Sequence, residues 1–76
     1  MRTAITDFKT GWYGIGMGFS DVELDRLIDG LQKLKSGEID HFHFRSTVFE
    51  TAAGGIADVE LFKLSQSDQS DMVIDC

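Results

Sequence analysis

The chain is poor in proline, cysteine and basic residues, and each scarcity excludes something. It has no proline to stiffen the unfolded chain, and its single cysteine, Cys76, cannot form a disulfide within the chain. We therefore expect a reducing compartment, the cytoplasm. Only 7 Lys and Arg face 13 Asp and Glu, which gives a net charge of −6. Because a nucleic-acid-binding protein needs a basic surface, this balance argues against nucleic acid as a partner.

Long hydrophobic runs are also absent. No apolar stretch approaches the roughly 18 residues of a membrane-spanning helix. Residues 1–10 alternate polar and apolar types, so we expect neither a signal peptide nor a membrane partner. However, 42% of the residues are hydrophobic and 11% are aromatic, which is too apolar for a disordered chain. The 76 residues are predicted to form a single domain, residues 1–76.

The small size limits the hydrophobic core. A domain of this length buries only about 60% of the surface that its unfolded chain exposes. No disulfide or cysteine–histidine zinc pattern compensates, and the eight glycines lose much backbone freedom on folding. Stability must therefore come from one well-filled core or from a second subunit, and a structural homodimer is one expectation.

The clearest element is a helix predicted over residues 21–36. Ser20 and Glu23 have the spacing of a capping box, in which each side chain binds a free backbone N–H of the first turn. Gly37 is placed to end the helix in a left-handed conformation. The apolar residues repeat at helical spacing and form one stripe, which consists of Leu24, Leu27, Ile28, Leu31 and Leu34.

Four strands are predicted around this helix, at residues 2–9, 12–19, 40–49 and 56–64. Thr10 and Gly11 would form a two-residue turn between the first two strands. The order β-β-α-β-β predicts an α+β fold with two layers, in which one helix covers one face of a four-stranded, mainly antiparallel sheet of order 2-1-3-4. Residues 65–76 read as a polar linker or tail, in which residues 72–74 would add a short C-terminal edge strand.

Alternation along the strands predicts which side chains share a face. The large residues of the second strand are expected on the core face beneath the helix; they are Tyr13, Ile15, Met17 and Phe19. If residues 50–55 connect the last two strands, Phe49 pairs with Ile56. Arg45 then lies opposite Glu60, and Thr47 opposite Asp58. The uncovered face would carry Trp12, Gly14, Gly16, Gly18, His41, His43, Arg45, Asp58 and Glu60.

The three alternating glycines, Gly14, Gly16 and Gly18, come just before the helix. Their spacing does not fit the dinucleotide-binding fingerprint, and Asp21 and Glu23 would repel a phosphate at that helix end. The pattern favours a strand whose open face lets a ring or another backbone approach closely. Trp12 or Ile5 is expected to supply that ring, unless a partner strand pairs there.

His41 and His43 should lie on the same strand face, near Asp58 and Glu60 on the next strand. Imidazoles and carboxylates are zinc ligands, so a metal- or ligand-binding domain is one alternative. The other interpretations are histidines hydrogen-bonded to acids on an exposed sheet, or a pH-sensitive interface. No complete ligand set is present, so no resident metal or cofactor is predicted.

Catalysis has little support in the sequence. Cys76 has no neighbour to orient it, and Ser46 has no base on its own face. Asp58 and Glu60 are more typical of surface ion pairs with Arg45 than of an acid–base pair. We expect that the protein is not an enzyme.

The stretch from Phe19 to Ile28, the Leu-rich remainder of the helix and the segment Asp40-His41-Phe42-His43-Phe44 resemble small bacterial domains of unknown function. Some of these domains are classed as immunity proteins of polymorphic toxin systems. The resemblance covers roughly residues 19–64. It implies a protein that binds and blocks another protein, such as a basic toxin or enzyme, and it carries no catalytic residues over.

Together these features predict a small acidic protein-binding module, an immunity protein or inhibitor, that acts through the open sheet face. The structural homodimer and the metal-binding domain that uses His41 and His43 are the alternatives.

Overall fold

A computed structural model describes residues 1–48 and 51–76. It confirms the α+β class and the predicted order of elements within that part of the chain. The elements are β1 (Arg2–Asp7), β2 (Tyr13–Gly18), α1 (Asp21–Ser36), β3 (His41–Arg45) and β4 (Asp58–Phe62).

Helix α1 has the predicted bounds and the predicted ends. The Ser20 hydroxyl accepts a hydrogen bond from the Glu23 N–H at 3.3 Å, and the Glu23 carboxylate accepts one from the Ser20 N–H at 2.9 Å. Gly37 follows the helix with a φ of 82°, a left-handed conformation that residues with a Cβ adopt reluctantly. Local capping signals therefore determine both ends of this element.

The Glu23 carboxylate also binds the Met1 ammonium group. That hydrogen bond, followed by those from Ser20, lowers the pKa of Glu23 to about 2. Since the folded pKa lies below the value of a free carboxyl, ionised Glu23 stabilises the fold above pH about 4.5, and this contribution disappears as the pH falls to about 2.

In the Glu23→Gln variant, the free energy of unfolding is therefore expected to decrease less in acid than it does in the wild type. Glutamine keeps a capping oxygen but has no charge to lose, so the difference in unfolding free energy between wild type and variant should shrink as the pH falls from about 4.5 to about 2. Urea unfolding at a series of pH values measures it. A difference that does not vary over this range would contradict the prediction.

The predicted four-stranded sheet is wrong. The described residues form two separate two-stranded antiparallel sheets, one of β1 and β2 and the other of β3 and β4. Strand β1 contributes Arg2, Thr3, Thr6 and Asp7, so it offers few apolar side chains to place beside the phenylalanines of β3. Each strand pairs only with its neighbour in the sequence.

The first hairpin is centred on Thr10, so the predicted two-residue turn is also wrong. Lys9 and Gly11 have positive φ values of 61° and 91°, and the Phe8 N–H donates to the Trp12 carbonyl at 3.2 Å. This wider turn moves the pairing by one residue and places Ile5 opposite Ile15. One face of the hairpin, which we call the hairpin face, therefore carries Thr3, Ile5, Asp7, Tyr13, Ile15 and Met17.

The register of the second sheet differs from the predicted one by two residues. Arg45 lies opposite Asp58, and His43, rather than Arg45, lies opposite Glu60. Thr47 lies beyond the end of β3. A slip of two residues keeps every side chain on its predicted face, because the side-chain period of a strand is two. The predicted pairing of Phe49 with Ile56 includes a residue outside the described ranges.

The core lies between α1 and β3 and is small. Among the described residues only Leu34 is buried, at 9% exposure. Phe44 makes edge-to-face contacts with Phe19 at 5.6 Å and with Phe42 at 5.9 Å between ring centroids. Gly30 leaves room for a ring, since a Cβ there would lie 3.2 Å from Cζ of Phe42.

Residues 65–76 contain no helix or strand, as expected for a polar tail. The predicted short strand at residues 72–74 is wrong, because Met72, Val73 and Ile74 are almost fully exposed and pair with nothing.

Candidate functional site

The protein exposes far more surface than a compact domain of its mass. Its accessible surface is 7043 Å², whereas a folded monomer of this mass exposes about 4,700 Å². The radius of gyration is 14.5 Å, against about 11 Å for a compact chain of this length. The excess of about 2,300 Å² is larger than the roughly 800 Å² that one partner contributes to a standard protein–protein interface.

The first hairpin contributes to this surplus. Of residues 1–18, all but Gly14 and Met17 are exposed. Tyr13 and Ile15, predicted as core residues beneath the helix, are 64% and 63% exposed, and Ile5 beside them is similar. The prediction of a core face is therefore wrong for Tyr13 and Ile15, which form an apolar surface open to solvent. It is confirmed for Phe19, which packs against Phe44.

The opposite face of the hairpin carries the glycine strip of Gly14, Gly16 and Gly18. A Cβ built on Gly14 would lie 2.9 Å from Cζ of Phe8, so an aromatic ring does approach the strip. The ring belongs to Phe8 instead of the predicted Trp12 or Ile5. Ile5 lies opposite Ile15 on the other face of the hairpin. The atoms nearest to the three built Cβ positions belong to Phe8, Ala4 and Arg2, all of them in the hairpin itself.

Both edges of the hairpin are free within the described part of the chain. Since Phe8 and Trp12 form a hydrogen-bonded pair, alternation along the ladder turns the backbone N–H and C=O groups of Ile5 and Ile15 outward. Ile15 therefore offers an exposed apolar side chain and free backbone groups at the same place.

The second sheet brings its predicted residues together on its outer face. The ring of His43 donates from Nδ1 to the Asp58 carboxylate at 3.0 Å, and its Nε2 lies 3.8 Å from Glu60. Arg45 Nε lies 3.8 Å from Asp58. We call His41, His43, Asp58 and Glu60 the histidine cluster.

His41 completes this cluster. Its ring centroid lies 5.2 Å from that of His43, at an interplanar angle of 89°. Its Nδ1 binds the Asp40 carboxylate at 2.5 Å, and this hydrogen bond lowers the pKa of Asp40 below the usual range of a carboxyl. The side chain of His43 is half-buried, whereas that of His41 is exposed.

The nine predicted interface residues do not share one sheet. His41, His43, Arg45, Asp58 and Glu60 lie on the second sheet, and the three glycines lie on the first. Trp12 lies in the turn of the first hairpin and is exposed. The single open face is corrected to two separate surfaces, because the two sheets do not pair.

Three exposed residues of the hairpin face were not predicted to form a surface: Ile5, Tyr13 and Ile15. A signal for their exposure was present, since the strand that pairs with β2 is largely polar and the opposite face is glycine-rich. A sheet layer buried against a helix normally has apolar residues along both strands.

Cys76 is a free, exposed thiol. Within the described residues, no helix has the length and apolarity needed to cross a bilayer. No protein-family model, curated protein or solved structure matches the chain.

Proposed function

We propose that the protein is a small, non-catalytic binding module that captures a basic protein through its first hairpin, in the manner of an inhibitor or an immunity protein. One observation carries the proposal: a two-stranded hairpin exposes apolar side chains on one face and leaves both edges unpaired among the described residues. An isolated two-stranded hairpin is at best marginally stable in water, so a partner that covers it gains binding energy and orders it.

The hairpin offers two modes of contact at once. A partner strand can extend the sheet along the free edge at Ile15, and a partner pocket can accept the side chains of Tyr13 and Ile15. Tyrosine is a common anchor of protein interfaces. The glycine strip on the other face leaves room for a second close approach.

The net charge of the whole chain, rather than that of the hairpin itself, favours a basic partner over a second copy of the chain. Two copies would bring together net charges of −6 each, which repel, whereas a basic protein is attracted and oriented before contact. Asp7 lies on the hairpin face itself, opposite Tyr13. This surface therefore combines an apolar centre with an acidic neighbour.

Ile15→Ser is expected to weaken capture of the partner about 10- to 100-fold, because it removes about 1.5–3 kcal/mol of apolar burial. The matched control is Ile74→Ser, which makes the same chemical change at a residue that is 95% exposed in the tail and should leave capture unchanged. A photocrosslinker at position 13 in the native host identifies the captured protein.

Support requires three results together: the crosslinked protein is basic, its affinity falls as salt is added, and the loss is specific to Ile15. Equal capture by both serine variants would reject the hairpin as the binding surface. A stable dimer of the free chain in sedimentation, abolished by Ile15→Ser, would replace the basic partner with a second copy.

A further inference from the structure

The histidine cluster lies on the other sheet and has a geometry that the proposed binding function does not use. One ring nitrogen of His41, one of His43 and a carboxylate oxygen of Glu60 lie within 4.8 Å of one another. Three donors at this spacing would each move by less than about 1 Å to reach a common ion at about 2.1 Å.

Two carboxylates, those of Asp40 and Asp58, already orient the two histidine rings. An ionised carboxylate can only accept hydrogen bonds, so Asp40 and Asp58 fix the proton of each ring on Nδ1. The Nε2 lone pairs of His41 and His43 are then free to bind a cation. Carboxylate–histidine pairs of this kind support the ligands of protein metal sites.

We propose that His41, His43 and Glu60 form a Zn²⁺-binding site with a fourth position open to water or to a ligand atom from another molecule. Two imidazoles and one carboxylate match the donor preferences of zinc. The strand period places His41 and His43 on one face, and the β3–β4 register places Glu60 directly opposite His43. The Arg45 side chain lies beside Asp58, which is not one of the three proposed ligands.

The test uses the full chain carrying Cys76→Ser, which removes the only thiol of the chain. Calorimetry with Zn²⁺ should show one ion per chain. At a free zinc concentration 100-fold above Kd, the melting temperature should rise by about 10 °C or more. His41→Gln with His43→Gln should abolish both effects. Because the chain has only two histidines, imidazole NMR signals report directly on the site.

Asp58→Asn removes the charge of the carboxylate that orients the His43 ring and should weaken zinc binding about 10- to 100-fold. Asp71→Asn, which removes an exposed carboxylate from the tail, is the matched control and should bind as wild type. The experiment uses Zn²⁺ at about 100 µM, which is enough to detect weak binding. The proposal is overturned if this concentration produces no heat and no shift of the imidazole NMR signals. It is equally overturned if the double histidine variant binds as tightly as the parent. If that variant has lost its circular dichroism, the imidazole shifts of the parent chain decide.

Discussion

Phe44→Ala is expected to leave most of the chain unfolded at 37 °C. Phe44 touches the rings of both Phe19 and Phe42, so it joins the segment after the first hairpin to the second sheet. Truncating a packed phenylalanine costs about 3–5 kcal/mol. A domain of 76 residues has about 4–11 kcal/mol of stability in total, and the large exposed surface places this chain at the low end.

Phe62→Ala is the matched control for this experiment. Phe62 lies on β4, the partner strand of β3, but on the outer face, where it is 58% exposed. Its truncation should cost less than about 1 kcal/mol, because little apolar area leaves water on folding. Urea unfolding followed by circular dichroism compares the two variants, and equal losses would show that the aromatic contacts do not hold the fold together.

The second large effect is expected for Leu34→Ala. Leu34 is the one buried residue of the described chain, near the C-terminal end of α1. Its truncation should cost about 2–5 kcal/mol and lower the melting temperature by roughly 10 °C or more.

Leu31→Ala makes the same change one turn earlier in α1, at a residue that is 43% exposed. The two variants share the same change in helix propensity, so their difference measures burial alone. Leu34→Ala should be the less stable of the two by at least about 1 kcal/mol. A Leu31 variant as destabilised as the Leu34 variant would mean that the apolar stripe is covered along its whole length.

The helix was predictable because its signals are local. The capping box at the start of the helix consists of Ser20 and Glu23, and Gly37 ends the helix. Each signal lies within one turn of the end that it defines, and the structure confirms both ends. The edges of the sheets were not predictable in the same way. Alternation shows which residues share a face, but it carries no information about which strand lies next to which.

The two strand registers show the limits of that reasoning. In the second sheet a slip of two residues left the faces intact, so His43, Asp58 and Glu60 were correctly placed together. In the first sheet, alternation of large residues predicts a core face, although an exposed apolar surface produces the same pattern. Within the described residues, no layer covers Tyr13 and Ile15.

The position of the core separates two kinds of residue along the chain. The aromatic contacts and Leu34 all come from residue 19 onward, whereas residues 1–18 are almost entirely solvent-facing. If the hairpin is the binding surface proposed above, substitutions in it should change the bound partner with little effect on folding of the remainder. Related chains with different targets would be expected to diverge most before Phe19 and to keep the apolar framework after it.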